Sequence, residues 1–254
     1  MIPQPFVKGS GERVFFGRYE YVSGADIIFD FGNSTCTSAF NSSHIVYNVG
    51  SANVTGSLIP YNNPGPFYPT LEATNGGTMV TRALASLSNY LQWDWKSTQE
   101  QTTITISKLN GTQLNPWNSK VPLAAGASSI AITNSGNTVV TGSANLFVDM
   151  YDSGNTLNSF IFNTTLNVDV SNNRNGYNMV SVEANASTTH NLYINQTLSA
   201  TDTTNIPRTT SSTQTTNFGV SSNMRIIAFL QYPFLLTPKQ IRQTYKVFSQ
   251  SFFA

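Results

Sequence analysis

Residues 231–248 read QYPFLLTPKQIRQTYKVF, and this stretch decides the fold. A strand stops at Tyr232-Pro233, because proline cannot donate to a sheet ladder, and a helix starts at Thr237. Thr237 is a good N-cap, and Pro238 falls at the first helical position, where its missing N–H costs nothing. Gln240 stands three residues after the cap and can reach back to complete a capping box. Ile241, Tyr245 and Phe248 then follow at i, i+4 and i+7, which is one apolar stripe on a helix of at most about three turns. Such a stripe must lie on something, and the rest of the chain offers only strands.

Upstream, strand-like runs recur with turn residues between them. Ala25–Phe31 is strand-like, with Ile27-Ile28-Phe29 at its centre, and ends at Gly32-Asn33; Thr102–Ile106 alternates polar and apolar, the pattern of a half-buried strand. Residues 128–133 and 137–141 flank Asn134-Ser135-Gly136, a hairpin signal. Residues 144–151, 159–162, 166–170, 177–183 and 191–198 continue the series. This spacing predicts a sandwich or jelly roll. Residues 60–69 hold four of the eleven prolines and read as an irregular loop, and the Thr/Ser-rich residues 199–217 as a polar connection. Residues 1–24 read as an N-terminal arm or edge strand, stiffened by Pro3 and Pro5 and hinged at Gly9-Ser10-Gly11; residues 25–254 form the one domain.

Composition narrows the function. Of the 254 residues only 10% are charged, against a usual quarter, and the net charge is +1. No broad basic field exists to hold a nucleic acid. Aromatics make up 12%, which argues against disorder. The one cysteine, Cys36, excludes an intrachain disulfide framework and a cysteine-based zinc site, and reads as a small buried side chain. The N-terminus lacks the pattern of a secretory signal, and no run of 18 apolar residues could span a bilayer.

The residues of the closing stretch also resemble a family. Tyr232, Leu236, Thr237, Gln240, Ile241 and Tyr245, entered from Ile226-Ile227-Ala228, are similar to the way concanavalin A-like (laminin G-like) lectin domains end. Asn191-Leu192-Tyr193-Ile194-Asn195-Gln196-Thr197-Leu198 resembles that family's Leu-Tyr-Val-Asn-Gly hairpin, with Gln196 in place of the glycine. Asn217-Phe218-Gly219, Ile27–Asn33, Gly76–Met79 and Tyr90-Leu91 fall where the family has its other motifs, so the resemblance spans about residues 25–250. Lys239-Gln240 replaces the family's acidic pair, and the acids expected before Tyr90 are missing. The resemblance implies an all-β, concanavalin A-like jelly-roll sandwich with a short C-terminal helix. It does not carry over a metal or sugar site.

A glycosidase on such a sandwich needs two carboxylates facing one cleft. None of Glu12, Glu20, Glu72, Glu100 and Glu183 has an acid at i+2 or i+4. His44 and His190 lie in no nucleophile-elbow context and read as surface or loop histidines. The chain is therefore expected not to be an enzyme and to need no cofactor, with Ca²⁺ the one metal considered, on Asp149, Asp152 and Asn155. The competing reading of those residues is that Asp and Asn make turns. For carbohydrate contact the candidates are Trp117 and Asn118 in a loop, and Trp93 and Trp95 around Asp94; the last two, on the inner face of a strand, read first as core.

The function expected is a non-enzymatic virion structural protein, a capsid-surface, minor capsid or tail/fibre component, made in a host cytoplasm. That attribution is what the resemblance implies, since such domains are common on phage and large-virus particles. Phe6, Lys8, Arg13 and Arg18 of the arm would dock on other virion proteins or on a second copy of the chain. A host cell-surface glycan is the further partner; nucleic acid and membrane insertion are not expected. The alternative is a free carbohydrate-binding lectin or adhesin.

Overall fold

The computed structural model describes residues 22–31, 33, 35–36, 38, 45–60, 70–73, 80–85, 89–95, 100–109, 123–132, 140–151, 157–168, 177–185, 189–203, 214–218 and 224–252. In chain order these form β1 (Ile27–Asp30), β2 (Ile45–Tyr47), β3 (Thr55–Pro60), β4 (Thr70–Ala73), β5 (Val80–Ala85), β6 (Asn89–Trp95), β7 (Gln101–Leu109) and β8 (Leu123–Ile132). There follow β9 (Val140–Tyr151), β10 (Leu157–Val168), β11 (Tyr177–Ala184), β12 (His190–Ile194), β13 (Thr197–Asp202), β14 (Gln214–Phe218), β15 (Met224–Tyr232) and one helix, α1 (Pro238–Phe252). The fold is an antiparallel β-sandwich closed by a C-terminal helix.

The larger sheet runs β13-β12-β11-β7-β15-β5-β4, with β1 pairing the later half of β15 beside the short β5 contact. A four-stranded sheet, β14-β6-β3-β2, and a three-stranded sheet, β10-β9-β8, make up the rest. Strands β8 and β10 lie against β7, β11, β12 and β13.

Strand register sorts the side chains of the larger sheet onto two faces. Ile28, Leu230, Ile104 and Ser181 stand in one row, and Ala228, Ile106 and Met179 in the next. This face is the helix face, where Ile28, Ile104, Ile106, Met179, Leu230 and Tyr232 pack with Ile241, Val247 and Phe248 of α1. On the opposite face, Phe29 and Phe229 meet Trp93 from β6, with ring centroids 5.5 Å and 4.6 Å away. Gly56 on β3 faces the same packing, since a Cβ there would stand 2.9 Å from Leu91 and 3.2 Å from Phe29. From Ile227 to Tyr232 the central strand β15 is buried on both faces, which is why IAFLQY reads as a nearly continuous apolar run.

Helix α1 starts as the sequence predicts. Thr237 N–H donates to Gln240 Oε1 at 2.8 Å, and Gln240 N–H donates to Thr237 Oγ1 at 3.3 Å, a completed capping box. The helix is longer than expected, at 15 residues. Its underside includes Thr244, whose hydroxyl returns to Gln240 O, so the buried stripe is wider than Ile241, Tyr245 and Phe248 alone. Ahead of it, Thr102 Oγ1 on β7 donates to Phe234 O and accepts from Leu236 N–H, both at 3.0 Å, fixing the strand-to-helix corner to the sheet.

Residues 48–52 run beside the free edge of β1 as an irregular strap. Asn48 Oδ1 accepts from Ile28 N–H at 2.7 Å, and Asn48 Nδ2 donates to the carbonyls of Asp26 and Ala52 at 2.8 and 2.7 Å. Val49, Ser51 and Ala52 add backbone bonds to Ile28, Ala25 and Asp26. Gly50 is required there: a Cβ would stand 2.5 Å from the Asp26 carbonyl oxygen.

Several expectations are corrected. Strand β7 is not half-buried, because Gln101, Thr103, Thr105 and Ser107 are covered as fully as Ile104 and Ile106. Alternation shows which side chains share a face; it does not show whether the polar face is then covered by another layer. His190 is buried where β12 begins, not on a surface loop. The hairpin expected over residues 191–198 is present: Ile194 pairs with Thr197 across Asn195-Gln196, and Asn195 takes φ 58°, the left-handed conformation asparagine tolerates. Pro60 closes β3, and residues 214–218 form β14 inside the expected polar connection. Val22, assigned to the arm, is buried in the core beside α1. Cys36 is buried as expected, its Sγ 3.5 Å from Asp30 N and 3.7 Å from Ile28 O.

Candidate functional site

Strands β11, β12 and β13 carry polar side chains across the helix face of the larger sheet, toward the β13 end. Register puts Thr102, Glu183, Asn191 and Thr201 in one cross-strand row, and Ser181, Tyr193 and Leu198 in the next. Thr201 Oγ1 donates to Asn191 Oδ1 at 2.9 Å, and Asn191 Nδ2 donates to Glu183 Oε2 at 2.9 Å. The chain of bonds therefore runs from an exposed hydroxyl through a half-buried amide to a buried carboxylate. Each member fixes the next, so the rotamers of Asn191 and Thr201 are set before anything binds.

Burial raises the Glu183 pKa from its ordinary value, and hydrogen bonds from Asn191 and Tyr193 offset part of that rise. The Tyr193 phenol is raised in turn, by burial first and then by the Glu183 charge and their hydrogen bond. Glu183 Oε1 and Ser181 Oγ are buried without a hydrogen-bond partner of good geometry among the described residues. Beside this polar row Leu198 is 50% exposed, one of two large hydrophobics so placed among the described residues. An apolar side chain next to a preset hydroxyl and amide offers both contacts that a sugar ring presents, its C–H face and its hydroxyl edge.

The candidates named from sequence fall elsewhere. Trp93 is 2% exposed and packs on Phe29 and Phe229, so it is a core side chain and gives no surface to a carbohydrate. That corrects its candidacy: alternate residues of β6 face the larger sheet, and the indole fills that space. Trp95 is the last residue of β6, and its side chain lies outside the described residues. Trp117 and Asn118 lie outside them altogether, as do Phe6, Lys8, Arg13 and Arg18. Asp149 falls within β9, opposite Ser159 and Leu123, whereas Asp152 and Asn155 are outside the described residues. Among the described residues no three His, Cys, Asp or Glu side chains come together as a metal site.

Sequence reading missed Glu183, Asn191, Tyr193, Leu198 and Thr201 as a group. One signal was present: Glu183 is the only Asp, Glu, Lys or Arg between Arg174 and Asp202, set in an otherwise uncharged strand. The hairpin containing Asn191 and Tyr193 was read for fold alone.

No family model matches the chain, and no curated protein matches it. Solved structures do. The receptor-binding domain of botulinum neurotoxin mosaic serotype C/D matches with a TM-score of 0.52 at 14% identity, over 88% of this chain and 50% of that one. The binding domain of Paraclostridial Mosquitocidal Protein 1 matches with a TM-score of 0.51 at 12% identity, over 87% of this chain and 52% of that one. The botulinum neurotoxin serotype D binding domain matches with a TM-score of 0.50 at 12% identity, over 88% and 51%. The chain thus spans about half the length of the structures it matches. At such identities the likeness lies in the fold: this chain shares an antiparallel β architecture with clostridial toxin binding domains.

Proposed function

We propose that this chain is a non-enzymatic, lectin-like binding module that serves on the surface of a virion and contacts host glycan through the outer face of β12 and β13. The observation that carries the binding reading is the bonded row Thr201–Asn191–Glu183 with exposed Leu198 beside it. Asn191 and Thr201 would meet sugar hydroxyls, Leu198 the apolar ring face, and Glu183 would act as a positioning residue beneath them. The fold supports the same reading, because the solved structures it resembles are named as binding or receptor-binding domains. The virion role is supported by the sequence: low charge suits assembly surfaces, where burying Lys and Glu is costly. In this reading the module needs no cofactor and assembles with other virion proteins or with further copies of itself.

A glycan array probed with purified protein tests the binding, alongside Asn191→Ala and Thr201→Val. The expected result is a defined set of bound neutral glycans, with affinity reduced at least about tenfold in Asn191→Ala, the loss of one or two well-placed hydrogen bonds. No glycan bound, or equal binding by the variants, sinks the site. Mass spectrometry of purified particles tests the location; fixed stoichiometry supports the virion role, and a glycan-binding protein absent from particles would be a free lectin.

A further inference from the structure

The C-terminal fifth of the chain is charged differently from the rest. All twelve acids lie at or before Asp202, whereas residues 203–254 contain Arg208, Arg225, Lys239, Arg242 and Lys246 and no Asp or Glu. Three of those cations are on α1, and all three are exposed. Their spacing of three and then four residues puts them on one line of the helix, opposite buried Ile241 and Phe248. At 1.5 Å per residue the line is about 10 Å long.

We propose that this outward line of α1 is a docking strip for an acidic polysaccharide, a sugar polymer bearing sulfate or carboxylate groups. The helix is a rigid mount, because its underside is buried against the larger sheet and its first turn is held by the capping box. The backbone points that carry the cations therefore keep their relative positions, so binding need order only the side chains. Other occupants fit less well. A membrane-surface helix inserts its apolar face, and here that face is occupied by the protein core. A protein partner needs an apolar or aromatic anchor, and the line has none between Lys239 and Lys246. Duplex-binding proteins neutralise about six to ten phosphates, well beyond three cations. A flexible polyanion with charges along one edge asks only for a short cationic row.

The test uses heparin as the acidic polymer, with neutral dextran, duplex DNA and phosphatidylserine vesicles as comparisons, and affinity measured against salt. The triple variant Lys239→Gln/Arg242→Gln/Lys246→Gln is expected to fold as the parent does, checked by thermal melt, and to bind heparin at least about tenfold more weakly at low salt. Its log–log salt slope should fall by about 2, at roughly 0.7 per cation removed from a flexible polyanion. The triple variant should keep the parent's binding to the neutral glycans of the array, which separates this strip from the proposed glycan face. Unchanged heparin binding by the triple variant overturns the proposal, as does equal or tighter binding of DNA or vesicles at the same salt.

Discussion

Single residues decide two properties of this molecule. Glu183 is a carboxylate held in a buried row of β11, and burial raises its pKa. A raised acid favours the protonated fold: its stabilising effect is complete below the ordinary value of 4.5 and is lost as pH rises through the raised value. Glu183→Gln should therefore melt at or above the wild-type temperature at pH 7, with the difference shrinking or reversing at pH 4; a gap independent of pH would contradict this. Trp93 shows the opposite balance. It fills the space between β6 and the Phe29–Phe229 pair, but its indole N–H is buried with no acceptor among the described residues. Trp93→Ala should cost about 3–5 kcal/mol by denaturant unfolding, as large cavities do. Trp93→Phe should cost much less, because it also removes an unsatisfied donor. The core reading of the Trp-Asp-Trp triplet holds for Trp93, whereas an isolated Glu in a strand says nothing of which layer covers it.

At the scale of elements, α1 was the most legible part of the chain. Cap, first-turn proline and capping-box glutamine are local signals, and each fixes geometry within three residues of itself. Thr237→Ala should cost about 1 kcal/mol in chemical denaturation, and Thr237→Ser should be nearly neutral. Equal stability of all three proteins would mean the corner is held by the Thr102 bonds to Phe234 and Leu236 alone. Strands were legible by existence and direction of alternation, but less so by extent. Residues 214–218 carry only polar residues and one aromatic, and their pairing with β6 is decided by a partner more than a hundred residues upstream. The β12–β13 hairpin was legible despite Gln196 in place of glycine, because Asn195 supplies the left-handed residue instead.

For the whole molecule, the sandwich class followed from punctuation, and the closing helix followed from its caps. The site did not, because it is assembled by register across three strands and only one of its members is charged. Its polar row spans positions 183, 191 and 201, contiguous in space and unrelated as a motif. The cationic line of α1 belongs to the same scale. It is invisible in a net charge of +1 and emerges only when the acids are seen to stop at Asp202.

The strap at residues 48–52 has a consequence for how this protein behaves at high local concentration. An open strand edge is a template on which another chain can add a strand, and neutral, weakly charged proteins have little repulsion to prevent it. Here the Asn48 side chain accepts from Ile28 N–H of β1 and donates to the Asp26 carbonyl just before it, mimicking a neighbouring peptide, and Gly50 lets the main chain close over it. That flank of the sheet is thereby sealed against runaway polymerisation. Where many copies crowd together, subunits of this design would have to join through side-chain surfaces, and not by extending one another's sheets at β1.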